Sequence, residues 1–122
     1  FDRIRLILIK RITMYKLEEV KEYLKNVLDA ERIEKCYKLI TNPELRVNSD
    51  DKRWVACSQE TELITVFNAI CEILHINTNE RNKFYDSYIG IIQDVCIQFT
   101  KWGINNKPRI PFYVLVLDKI IK

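Results

Sequence analysis

The stretch that decides the predicted fold is NERNKFYDSYIGIIQDVCIQFTKWG, residues Asn79–Gly103. Its apolar side chains recur every three or four residues, which is the spacing of one face of an α-helix. The stripe consists of Phe84, Tyr88, Ile91, Val95, Phe99 and Trp102, and it is widened by Tyr85, Ile89, Ile92 and Cys96. Such a broad apolar face can pack against two or three neighbours. The pattern therefore predicts a long amphipathic helix at the centre of the core.

Both ends of this helix carry ordinary start and stop signals. Asn77 is a residue type that caps helices, and Glu80 follows it three positions later. Gly103 is able to adopt the left-handed conformation that ends many helices.

The composition favours an all-α fold. The chain has 122 residues, of which 48% are hydrophobic and 30% are charged, so it is long enough to bury a working core. It contains only two glycines and three prolines, the residues on which tight hairpins and phosphate-binding loops depend. We expect residues 1–122 to form a single compact bundle of five or six helices.

Two further helices are predicted in the first third of the chain. From Thr13 onward one apolar stripe is formed by Leu17, Val20, Leu24, Val27 and Leu28. After a break near Asp29, a second stripe is formed by Ile33, Cys36, Tyr37 and Ile40, with a favourable Glu34–Lys38 pair on its exposed side. The Asn42-Pro43 dipeptide ends this helix, because the residue before proline is disfavoured in the helical region.

The remaining segments are read in the same way. Residues 42–57 are predicted to be a surface connector, after which Ser58 caps a helix with the stripe Leu63, Val66, Phe67, Ile70, Ile73 and Leu74. Pro111 suits the first turn of a last helix, Phe112–Lys122, whose run FYVLVL is apolar on all sides and should be buried. The pattern of this run leaves a strand as the open alternative. Residues 1–12 favour a helix, with a strand as the open alternative.

The cysteines and the chain start bear on the cellular compartment. Cys36, Cys57, Cys71 and Cys96 form no CxxC pair, and three of them fall on apolar helix faces, so we expect buried free thiols. Residues 1–12 do not resemble a signal peptide. The chain begins at Phe1, which suggests a processed product or a piece of a longer protein. We expect a reducing compartment, cytoplasmic or nuclear.

Little catalytic chemistry is visible in the sequence. The single histidine, His75, follows Cys71 by one turn, but a helix-terminal position for His75 is favoured over a catalytic dyad. One histidine and scattered cysteines do not make a metal site. We therefore expect no enzyme activity, no cofactor, no metal, no membrane insertion and no small-molecule substrate.

Residues 62–122 carry a resemblance to a known family. A helix ends in ICEILHI, a long helix follows, and the sequence PRIPFYVLVLDKI closes the chain. This order resembles the second half of a cyclin-like repeat of transcription factor IIB. The tail, with Arg109 and Phe112 in an R-x-x-F arrangement, is also similar to the late transcription factors of poxviruses and related large DNA viruses.

A second resemblance covers residues 84–121. The segment YIGIIQDVCIQFTKWGI, through Ile89-Gly90-Ile91 and Trp102-Gly103, is similar to the Trp-Gly helix end of poxviral Bcl-like proteins. That family implies a protein-interaction module that binds a host helix.

The preferred functional expectation is a non-enzymatic adaptor, a cyclin-like module of a transcription apparatus. Both ends of the chain are basic within a net charge of +3, and basic helix ends and loops are suited to phosphate contacts. The candidate nucleic-acid-binding residues are Arg3, Arg5, Lys10, Arg11, Lys101, Lys107 and Arg109. The partners expected are a protein and, in this interpretation, nucleic acid or polymerase. The alternatives are the Bcl-like module and a structural subunit of a larger assembly.

Overall fold

The computed structural model of the chain describes residues 16–41, 54–104 and 107–121. Helix makes up 77% of it, which confirms the all-α class that the low glycine and proline content predicts. Residues 1–15 lie outside the described ranges, so the choice between helix and strand for residues 1–12 stays a prediction. Most of the 42–57 connector also lies outside these ranges.

The described ranges contain five α-helices and one 3₁₀ helix, in agreement with the predicted five or six. The α-helices are α1 (Leu17–Leu24), α2 (Ala30–Ile40), α3 (Glu60–Ile73), α4 (Tyr85–Lys101) and α5 (Arg109–Ile121). The 3₁₀ helix, Thr78–Phe84, joins α3 to α4. Two short strands that the sequence pattern does not predict, β1 (Trp54–Val55) and β2 (Lys107–Pro108), pair antiparallel.

The last helix, α5, is the most deeply buried of the described elements. Its central run, FYVLVL, is apolar on all sides, and every residue from Pro111 to Asp118 is buried. It packs against all four other α-helices. This corrects the expectation that Asn79–Gly103 is the central helix, since that segment lies beside α5. The predicted burial of the FYVLVL run and the place of Pro111 in the first turn are both confirmed.

Helix α4 begins later than the sequence suggests. Residues Thr78–Phe84 form the 3₁₀ helix, none of them is buried, and the α-helix starts only at Tyr85. The buried part of the predicted stripe is its second half, namely Ile92, Val95, Cys96 and Phe99. The six residues before Phe84 are all polar and offer nothing to pack into the core, which explains the late start.

Helices α1 and α2 follow their sequence signals closely. Asp29 caps α2 as the break near that position predicts, because its Oδ1 accepts a hydrogen bond from the Arg32 backbone N–H at 3.0 Å. The predicted pair of Lys38 and Glu34 is present, with 3.2 Å between Nζ and Oε1. The buried apolar residues of this pair of helices and the turn between them are Val20, Leu24, Leu28, Ile33, Cys36 and Ile40.

Helices α3 and α4 end in the same local motif. His75 follows α3 with a φ of 58°, and Gly103 follows α4 with a φ of 76°. Beyond each of them the next backbone N–H, that of Ile76 or Ile104, donates to a carbonyl five residues earlier, at 2.9 and 3.1 Å. This is the Schellman arrangement, in which a left-handed residue satisfies the last carbonyls of the helix. The predicted stop at Gly103 is confirmed.

Candidate interaction surface

Two aromatic side chains are exposed at one end of the bundle and rest on the same buried ring. Tyr23 of α1 is 36% exposed and Trp102, which follows α4, is 41% exposed. Their ring centroids lie 6.4 and 5.2 Å from that of Phe99, which is fully buried. We call Tyr23 and Trp102 the aromatic surface.

The backbone holds this surface in a fixed position. The N–H of Trp102 donates to the carbonyl of Gln98 at 3.2 Å and to that of Phe99 at 3.1 Å, and Gly103 then turns the chain away from the helix. Below them, Phe99 stacks on Phe112 of α5 with centroids 5.7 Å apart. The exposed rings are therefore joined to the centre of the core through one side chain.

The aromatic surface is bordered by charges of both signs. Glu19 lies one turn before Tyr23 on α1 and is exposed, and Lys101 lies next to Trp102 and is also exposed. Apolar area with a polar border is the usual composition of a protein–protein contact. The sequence pattern places Trp102 in the core stripe and does not mark Tyr23 as a binding residue. Hydrophobic periodicity predicts the apolar face of a helix, but it does not show how far the neighbouring elements cover that face.

The predicted basic residues do not gather at one surface. Lys101 is exposed, whereas Lys107 is only 8% exposed and Arg109 only 2% exposed. This corrects the expectation that the last two present their charges to solvent. Arg3, Arg5, Lys10 and Arg11 lie outside the described residues.

Arg109 is buried because it belongs to an internal polar cluster. Its Nη2 contacts Oε1 of buried Glu62 on α3, and its Nη1 donates to the Tyr113 hydroxyl at 2.7 Å. Burial works against the charged guanidinium, but Tyr113 and Glu62 outweigh it, so the pKa of Arg109 lies above its ordinary value. The cluster joins the starts of α3 and α5.

A second ion pair joins α2 to α5. Arg32 donates from Nε to Oδ1 of Asp118 at 2.8 Å, and its Nη2 also contacts the other carboxylate oxygen. Asp118 is buried, and its hydrogen bond raises the pKa of Arg32. The bidentate geometry makes this contact between the two helices directional.

The cysteines differ from the sequence expectation. Cys57 and Cys96 form a disulfide, whereas Cys36 and Cys71 are buried free thiols as predicted. Cys96 contacts Cys57 from the buried side of α4, and the helical pattern alone does not reveal that neighbour. A disulfide weighs against the reducing compartment expected from the sequence.

The two residues considered for catalysis lie in different surroundings. Cys71 is fully buried and burial raises the pKa of its thiol, while His75 is exposed in the left-handed turn after α3. Within the described residues, no three His, Cys, Asp or Glu side chains are grouped in a way that would hold a metal ion. In the same part of the chain, no helix has the length and apolarity required to cross a membrane.

Comparison of the chain with protein-family models, with curated proteins and with solved structures finds no match.

Proposed function

We propose that this chain is a non-enzymatic helical adaptor that binds a protein partner through the aromatic surface. The observation that carries the proposal is the exposure of Tyr23 and Trp102 on top of buried Phe99. Tyrosine and tryptophan offer a large rigid apolar area with a polar edge, and they are the residue types that most often dominate binding energy at interfaces.

The occupant that fits is an amphipathic helix of the partner. Such a helix places apolar side chains at i, i+3 or i+4 on one face, and they would contact the two rings. The exposed Glu19 and Lys101 at the border would pair with a basic and an acidic residue on the flanks of that helix. The resemblance to poxviral Bcl-like proteins implies a partner of the same class.

The cyclin-like transcription module is the competing proposal. Seven basic residues are the candidates for nucleic-acid binding in that proposal, and among the three that the structure describes only Lys101 is exposed. The described ranges contain nearly equal numbers of acidic and basic residues. Nucleic-acid binding of that kind would be strongly salt-dependent, because it releases counterions from phosphates. A structural role in a larger assembly would use the same aromatic surface for a permanent contact.

The proposal is tested with a displayed library of amphipathic helical peptides. The chain has two tryptophans, so Trp54→Phe leaves Trp102 as the single tryptophan, whose emission is excited selectively at the red edge of the absorption band. We expect selected peptides to shift the Trp102 emission, and Tyr23→Ser to weaken their binding by about tenfold or more, as loss of an interface hot spot does.

Ile97→Ser is the matched control. Ile97 is 53% exposed, and its helical position is about 160° around α4 from Phe99. Binding should be unchanged by this substitution. The proposal fails if no helical peptide is selected, if Ile97→Ser weakens binding as much as Tyr23→Ser, or if duplex DNA displaces the peptides with a steep salt dependence.

A further inference from the structure

The Cys57–Cys96 disulfide joins the residues just after β1 to the middle of α4. Strand β1 has two residues, which pair as Trp54 with Pro108 and Val55 with Lys107. A two-stranded pairing is marginal by itself in water, and this one is very short. The disulfide therefore adds a covalent constraint on the β1 segment to its contacts with β2 and α5.

The segment that β1 pairs with is buried. Lys107, Pro108 and Arg109, the residues of β2 and the first residue of α5, are all buried, and Val55 of β1 is buried with them. β1 also contacts α5 directly. The basic tail residues that the sequence places on the surface thus lie next to a strand that a disulfide fastens.

We propose that Cys57 and Cys96 form a thiol–disulfide switch. In the oxidised chain β1 is fastened over Lys107 and the start of α5. In the reduced chain β1 detaches from β2, and Lys107 becomes accessible to solvent. The helices themselves stay in place, because each of the other four α-helices contacts α5 without β1 between them.

The other two cysteines do not take part in the exchange. Cys36 and Cys71 are buried, and burial raises the pKa of Cys36 to about 11 and also raises that of Cys71. Since the thiolate is the attacking species, both are poor nucleophiles in their folded surroundings. Cys57 is half-buried, whereas Cys96 is buried, so we expect a dissolved thiol to attack the disulfide at Cys57.

The reaction requires a dithiol reductant, such as dithiothreitol. One reductant thiolate attacks Sγ of Cys57, and Cys96 leaves as a thiolate that takes up a proton. The second reductant thiolate then attacks the reductant's own sulfur in the mixed disulfide, and Cys57 leaves and is protonated in its turn. The protein gains two electrons and two protons, and the reductant becomes a cyclic disulfide.

The test measures acetylation of lysine amines in the full chain by mass spectrometry, with and without dithiothreitol. Lys119 is exposed on α5 and provides the internal standard. On reduction, we expect the rate at Lys107 relative to Lys119 to rise on the order of tenfold, as a local opening predicts. The helical circular dichroism signal should be retained.

Two double variants complete the design. Cys57→Ala/Cys96→Ala should show the fast Lys107 rate without reductant, and Cys36→Ala/Cys71→Ala should respond to reductant as the unmodified chain does. If a variant does not fold, the acetylation rates of the unmodified chain with and without dithiothreitol still test the proposal. If the acetylation rate of Lys107 does not change on reduction, the proposal is wrong. It is also wrong if the helical circular dichroism signal is lost, because the disulfide would then stabilise the whole fold.

Discussion

Phe99 is the residue through which the exposed aromatic surface is joined to the core. Its ring contacts Tyr23, Trp102 and Phe112, and it is itself fully buried. A change at this position should therefore affect stability and the candidate site together.

Phe99→Ala should lower the free energy of unfolding by roughly 3–5 kcal/mol, because it leaves a cavity between α4 and α5. Chemical denaturation measures the change. Ile97→Ala, an exposed apolar position on the same helix, should stay within about 0.5 kcal/mol of the original chain. A Phe99→Ala loss below about 1 kcal/mol would mean that the ring is not buried as described.

The buried pair of Glu62 and Arg109 makes a second prediction at this scale. Glu62→Ala should cost roughly 3–5 kcal/mol, since it removes a carboxylate partner from a buried guanidinium. Glu60→Ala, at an exposed position in the first turn of the same helix, should cost only about 0.3–1 kcal/mol. Equal losses for the two variants in the same denaturation experiment would contradict the buried pair.

The position of Arg109 does not follow from its local sequence. Arginine is a common phosphate ligand on protein surfaces, which is the role predicted for Arg109. In the structure Arg109 is buried against Glu62, which lies 47 positions earlier in the chain. Nothing local to residues 107–112 signals that contact. The apolar run FYVLVL is a local property of the sequence, and it correctly predicts burial.

At the scale of elements, a residue in the left-handed conformation ends each of the helices α3 and α4. The left-handed residues are His75 after α3 and Gly103 after α4. A side chain in that conformation is strained, whereas glycine is not.

His75→Gly should therefore stabilise the protein, and Gly103→Ala should destabilise it, each by about 1 kcal/mol. Gly90→Ala is the matched control inside α4, where no atom lies within 4 Å of the added methyl group. It should stabilise by about 0.5–1 kcal/mol through helix propensity. Thermal unfolding distinguishes the three, and a stabilising Gly103→Ala would contradict the left-handed turn.

Residue types that cap or break helices mark some of the boundaries, but Asn77 does not cap α4, which starts at Tyr85 after the 3₁₀ helix. Asp29, Gly103 and Pro111 each behave as their residue types suggest. The cap of α3 is Gln59, one residue after the predicted Ser58. Strands β1 and β2 have two residues each, which is too short for any periodic pattern to appear.

For the whole molecule, contacts between distant segments decide the arrangement. The disulfide spans 39 positions and the Arg32–Asp118 pair spans 86. Hydrophobic periodicity predicts which face of a helix is buried, but it does not rank helices by how many neighbours they have. That is why the broad stripe of Asn79–Gly103 suggested the centre, while α5 occupies it.

Hydrogen exchange of the native protein tests this arrangement most directly. The amides of Phe112–Leu117 in α5 should be among the slowest to exchange, because they lie in the most buried element and open only with the whole fold. The amides of residues 85–91, where α4 is half-buried or exposed, should exchange much faster through local opening. If residues 85–91 are protected as strongly as Phe112–Leu117 or more strongly, α5 is not the centre of the fold and the account is wrong.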